Sequence, residues 1–170
     1  DFENANKLVR GEYICIAPAS VWATKQFPKE RWVEFMRSIS LSLQICLIGS
    51  ENDKPLCEEI IDESKYQYSF NFAGKLSLLE TAALMKNAKM NFVNDSAPLH
   101  LASAMNAAVT AVFCSTVPDF GFFPLSDKSF VLQTDEKLDC RPCGIHGLKT
   151  CPEIHFQCAY SIQNTKLIMA

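Results

Sequence analysis

At 170 residues, 48% of them hydrophobic, the chain is long enough for one well-cored domain and short for two. A formal charge of -3 gives no basic excess, which argues against a general nucleic-acid binder but leaves room for a local phosphate pocket. No apolar run approaches the roughly 20 residues that span a bilayer, and Asp1 to Lys7 has neither an initiating methionine nor a signal-peptide layout, as expected of a processed product or an excised piece.

The first element is Tyr13-Ile14-Cys15-Ile16-Ala17, a continuous apolar run that reads as a strand buried on both faces. A polar loop from Ala19 to Lys29 follows. Trp32, Phe35, Met36, Ile39 and Leu43 then recur at helical spacing. Gln44 to Ile48 repeats the strand pattern and stops at Gly49; Asp53 to Ser64 is helical, with Leu56, Ile60 and Ile61 on one side. A weaker strand covers Phe70 to Phe72. Ser77-Leu78-Leu79-Glu80 has capping-box spacing, so a helix is expected to start there and run to Asn87. The series ends with a strand over Met90 to Val93, a helix from Pro98 to Met105 and a strand over Ala108 to Phe113. Solid apolar strands alternating with helices predict an α/β fold, with a Rossmann-like parallel sheet flanked by helices and a Cys-rich tail over 139–160.

In such sheets ligands bind beyond the carboxyl ends of the strands. The loops Pro18 to Lys29, Gly49 to Asp53, Gly74 to Ser77, Asn94 to Pro98 and Cys114 to Pro118 should therefore line one edge together. The fourth is the most informative. Asn94-Asp95-Ser96-Ala97-Pro98-Leu99-His100-Leu101-Ala102 ends an apolar strand on a carboxylate and a hydroxyl, then opens a helix whose unpaired amides and positive dipole end suit an anion. A plain N-cap by Ser96 or Asp95 explains the same residues. Lys25 brings a point charge suited to phosphate, with hydroxyls from Ser20 and Thr24, or it is a solvated loop lysine. Glu51 stands where an acid can accept from ribose hydroxyls, or it caps the following helix. His100 is either part of this edge or a packing residue. Neither glycine fingerprint, G-x-G-x-x-G nor G-x-x-x-x-G-K-[ST], is present, and no nucleophile elbow surrounds Ser96.

Of eight cysteines, Cys15, Cys46 and Cys114 fall in predicted buried strands and Cys57 on a predicted helix, a scatter that favours a reducing compartment. Cys140-Arg141-Pro142-Cys143-Gly144, Cys151 and Cys158, with His146 and His155 between them, allow three readings: a zinc knuckle, one or two disulfides, or reduced packed thiols. None of the three makes the cluster catalytic.

In order, Pro18-Ala19-Ser20, Lys25 to Trp32, Ile48-Gly49-Ser50-Glu51, Phe72 to Leu78, Asn94 to Ala102, Ser115-Thr116-Val117-Pro118 and the Cys-rich tail resemble the carboxyl-terminal half of glycosyltransferase family nine, the ADP-heptose:lipopolysaccharide heptosyltransferases. The likeness spans residues 12 to 162. It implies the donor-binding domain of an inverting GT-B enzyme that adds heptose to the lipopolysaccharide inner core. The whole chain, 1–170, would be that one domain, and the amino-terminal acceptor domain with its catalytic base is expected to be absent from this chain. No catalytic residue, metal ligand or cofactor is assigned to this half. The implied partners are ADP-heptose and, through the other half, the lipopolysaccharide acceptor, at the cytoplasmic face of the inner membrane with possible peripheral contact. By resemblance Lys25 meets the donor phosphates and sugar, and Ser20 is a neighbouring hydroxyl. Glu51 holds the adenosine ribose and Leu76 packs the adenine. Asp95 reads sugar hydroxyls, Ser96 and Ala97 approach the diphosphate, and His100 stands behind it. A different nucleotide-hexose donor, or a non-catalytic Cys-rich interaction module, are the alternatives. Two departures stand out. Ala97 replaces a usual glycine, where a left-handed backbone would cost about 1 kcal/mol or more, and Cys114-Ser115 replaces a usual Gly-Pro.

Overall fold

The computed structural model describes residues 9–40, 42–164 and 167. The apolar runs become strands: β1 (Tyr13–Ala17), β2 (Gln44–Leu47), β3 (Ser69–Asn71), β4 (Asn91–Asn94), β5 (Val109–Phe113) and β6 (Ser129–Gln133). Between them run α1 (Lys29–Ser38), α2 (Lys54–Ser64), α3 (Leu78–Asn87) and α4 (Ala97–Ala104), and a short α5 (Gln157–Tyr160) follows β6. Every strand pair is parallel, and the order is β3-β2-β1-β4-β5-β6. Strand order therefore reverses between β1 and β4, the place where a crevice opens at the carboxyl edge of such sheets.

Alternation along the strands feeds two apolar layers. Ile14, Ile16 and Val112 join Trp32, Phe35, Met36 and Ile60 beneath α1 and α2. Cys15, Ala17, Val109 and Phe113 join Leu84, Met85, Leu99 and Ala102 beneath α3 and α4. Trp32 is fully buried, edge-on to Phe27 at 5.2 Å and to Phe35 at 6.3 Å. No helix among the described residues is long and apolar enough to cross a membrane.

Three features depart from the sequence expectation. Helix α1 stops at Ser38 because Ile39 is extended, at ψ 144; Ile39 and Leu43 still pack on the core after the chain turns, so their spacing imitated a longer helix. Strand β6, which the sequence expectation lacks, follows a stretch of loop and carries the apolar run Phe130-Val131-Leu132; as an edge strand it leaves Phe130 and Val131 40% and 37% exposed. Single 3-10 turns occupy Ala23–Lys25 and Glu51–Asp53 inside two of the rim loops.

The capping box at Ser77 forms as the spacing predicts: Ser77 Oγ accepts from Glu80 N–H, and the Glu80 carboxylate accepts from Ser77 N–H at 2.9 Å. Ser77→Ala is expected to destabilise the domain by about 1 kcal/mol, read as a lower midpoint in urea denaturation with an unchanged slope.

Candidate functional site

The loop after β1 is fixed to β4 by a residue not singled out in the sequence. Buried Asn94 accepts from Phe27 N–H at 2.9 Å and donates through Nδ2 to the Pro18 carbonyl at 2.8 Å, pinning both ends of that loop. A carboxamide ending an apolar strand was the available signal. Within the pinned loop, the 3-10 turn presents Lys25 to Asp95: Nζ and Oδ2 are 2.7 Å apart, with side chains 13% and 5% exposed. Thr116 Oγ1 donates to the same Oδ2 at 2.6 Å. Loops following β1, β4 and β5 thus meet on one carboxylate oxygen.

A cleft of about 570 Å³ opens along the same rim; Ser20, Leu76, Ser96 and Ala97 help to line it, whereas Thr24, Lys25, Glu51 and Asp95 are not among its lining residues. Its lining mixes polar side chains, from Ser20, Ser50, Asn52 and Ser96, with apolar ones, from Ile48, Leu76, Leu78 and Leu101. Ala97 is the first residue of α4 and is not among the residues with positive φ, so the alanine carries no left-handed strain. Ser96 occupies the N-cap position without a side-chain cap bond; its hydroxyl donates to the Asn94 carbonyl at 3.3 Å instead. The start of α4 is thus not side-chain capped as the plain reading required.

Glu51 sits on the 3-10 turn next to the cleft, with its side chain 72% exposed and 3.8 Å from Lys54 Nζ. It does not cap α2: the Asp53 carboxylate takes the Ser50 N–H and hydroxyl at 2.7 and 2.8 Å. Glu51 rests over Gly74, whose φ of +74 brings the two backbones close. His100 lies on the exposed side of α4, edge-on to Phe122 at 6.1 Å, and is not part of the cleft lining. Thr24 is 3% exposed, and its hydroxyl accepts from Ser115 Oγ at 3.0 Å and Leu148 N–H at 2.7 Å. That side chain ties loops together from below the surface.

The Cys-rich segment forms the back of the site. Thr24 N–H donates to the Leu148 carbonyl and Cys143 N–H to the Ser115 carbonyl. Gly147 passes so close to Lys25 that an added Cβ would stand 2.9 Å from Lys25 Cγ. The loop bearing Cys114-Ser115 is therefore shaped by these ties rather than by the usual Gly-Pro. All eight cysteines are free, and no group of three or more His, Cys, Asp or Glu among the described residues is placed to hold a metal. Burial pushes the Cys158 thiol up to about 11 and raises Cys143 as well.

Comparison with known proteins agrees with this architecture. The chain is 31% identical over 118 residues to lipooligosaccharide heptosyltransferase 2 of Haemophilus influenzae, covering 64% of this chain and 34% of that relative. It thus spans about a third of the length of the curated relative it matches. In fold it matches the Escherichia coli ADP-heptose lps heptosyltransferase II structure at 23% identity and TM-score 0.71, covering 84% of this chain and 47% of that one. A second fold match is E. coli heptosyltransferase WaaC with ADP-2-deoxy-2-fluoro heptose, at 18% identity and TM-score 0.62, covering 78% of this chain and 41% of that one. The family model for glycosyltransferase family 9 (heptosyltransferase) matches residues 2–146, nearly all of the sheet and its rim, and the chain belongs to that family.

Proposed function

We propose that this chain is the donor-binding half of an inverting GT-B heptosyltransferase, holding ADP-heptose while a second, amino-terminal domain supplies the lipopolysaccharide acceptor and the catalytic base. The observation that carries this reading is the Lys25–Asp95 pair at the switch point, one residue from Ser96 in the cleft wall. Asp95 directly precedes the start of α4, where Ser96 and Ala97 line the cleft, so the pair supports a donor site reaching from the cleft to Lys25. In this reading Leu76 and Leu101 of the cleft lining pack the adenine ring, Glu51 takes the ribose hydroxyls, and Lys25 with the α4 amides takes the diphosphate. Pro98 has no N–H and Leu99 N–H is bonded to the Ser96 carbonyl, which leaves the amides of Ser96 and Ala97 to serve the phosphates. As the glycosidic bond breaks, negative charge grows on the departing diphosphate, and preorganised donors lower that barrier as an oxyanion hole does.

Asp95 holds Lys25 in place before the donor arrives. When phosphate draws the ammonium aside, Asp95 is uncovered for a sugar hydroxyl. The working place implied for the whole enzyme is the cytoplasmic face of the inner membrane, with peripheral contact.

Thermal shift against a nucleotide panel tests the donor. ADP and ADP-heptose are expected to raise the melting temperature in proportion to the logarithm of their concentration, with UDP and GDP giving no shift. A UDP or GDP response in place of ADP assigns a different hexose donor. No response to any nucleotide would leave a Cys-rich interaction module.

A further inference from the structure

Arg141 belongs to the Cys-rich segment, outside the residues assigned to the donor, yet it is bonded to the loop that holds Asp95. Its Nε donates to the Cys114 carbonyl at 2.7 Å. Its Nη2 reaches the carbonyls of Thr116 at 2.7 Å and Phe113 at 3.3 Å, and Gln133 Oε1 at 2.9 Å. All four acceptors are neutral. Three are main-chain carbonyls at the carboxyl end of β5, whose negative ends would otherwise repel an arriving diphosphate.

The planar fork of a guanidinium suits such diverging acceptors; an ammonium, a point donor on a flexible stem, does not. Holding residues 113–116 in this shape also fixes Thr116, whose hydroxyl donates to Asp95 Oδ2, the oxygen that holds Lys25. The chain of contacts runs from Arg141 through Thr116 and Asp95 to Lys25. We propose that Arg141 is a positioning residue for the donor diphosphate, setting the Lys25–Asp95 pair and neutralising the carbonyl edge behind it. The proposal rests on the donor reading above. It gives the Cys-rich segment a task at the site: it delivers the arginine to the rim.

NMR titration of the chain with ADP and with adenosine separates positioning from scaffolding. Arg141→Gln is expected to weaken ADP about tenfold while leaving adenosine within about twofold, because only the phosphates feel the displaced lysine. Arg141→Lys should recover part of the ADP loss. In the Lys25→Ala background, Arg141→Gln should add little, since both act on one contact. Equal losses for ADP and adenosine, or additive losses in the double variant, would overturn the proposal. If Arg141→Gln does not fold, the same comparison is read from Arg141→Lys, where an ADP-specific loss supports positioning and equal losses refute it. Failure of the unmodified chain to bind ADP would instead remove the donor reading.

Discussion

Lys25→Ala is expected to cost both ADP affinity and fold stability. The affinity loss follows, on the proposed donor reading, from removing the cation paired with Asp95 at the start of α4. In an assembled enzyme the same change should raise the barrier by about 2.7 to 4 kcal/mol, the magnitude of losing one preorganised donor to developing charge. The stability loss has a different origin. Asp95 is 4% exposed and its Oδ2 is shared between Lys25 and Thr116. Deleting the ammonium leaves a buried carboxylate with one neutral donor, and breaking a buried pair from one side costs about 3–5 kcal/mol. Lys25 keeps 13% exposure, so water reaches the gap and the lower end of that range applies.

The two effects come apart in a second variant. Adding Asp95→Asn to Lys25→Ala removes the stranded charge, so urea denaturation should recover most of the stability while calorimetry still finds weak ADP binding. Should Lys25→Ala bind ADP as the parent does, the lysine has no part in the donor site, whatever its effect on folding.

The inner strands were legible because each is a solid apolar run, and burial on both faces of a parallel sheet demands that pattern. Tyr13–Ala17 and Val109–Phe113 are buried at every position. Edge strand β6 carries a short apolar run, Phe130 to Leu132, with no α-helix between it and β5 to complete the alternating pattern. The rim followed from chain order, since the loops after successive parallel strands share an edge whatever they contain. Less legible was the depth of each side chain within the rim. Thr24 and His100 are both polar residues near the site, yet one is sealed beneath Ser115 and Leu148 while the other faces outward beside Phe122. Depth there is decided by contacts across 91 to 124 residues of chain, which local spacing does not encode.

The tail shows the same limit. Its cysteines draw attention because their spacing suggests metal ligands, but the contacts that reach the site come from Arg141, Gly147 and the Leu148 backbone. An arginine between two cysteines carries no pattern of its own until the β5 carbonyls it serves are in place.

Gly74→Ala is the second large effect, and it tests the proposed ribose contact of Glu51 rather than the proposed phosphate contacts. Gly74 has φ +74, and a Cβ there would clash with Glu51 Oε2 and stand 2.8 Å from Glu51 Cα. The carboxylate could rotate away, but the Cα is backbone, so the whole Glu51–Asp53 turn must move. Left-handed strain in an alanine costs about 1–2 kcal/mol, and displacing the turn adds to it, giving an expected loss above 2 kcal/mol in urea denaturation. Ser50, Asn52 and Asp53 line the cleft and travel with that turn. Adenosine and ADP should therefore weaken together, the opposite fingerprint to Lys25→Ala, which spares adenosine. Gly144 supplies the control: its φ is also +74, but an added Cβ meets nothing within 4 Å. Gly144→Ala thus measures the backbone strain alone. If Gly74→Ala loses no more stability than Gly144→Ala and binds adenosine normally, the close approach of Glu51 is irrelevant to the cleft and the acid has no claim on the ribose.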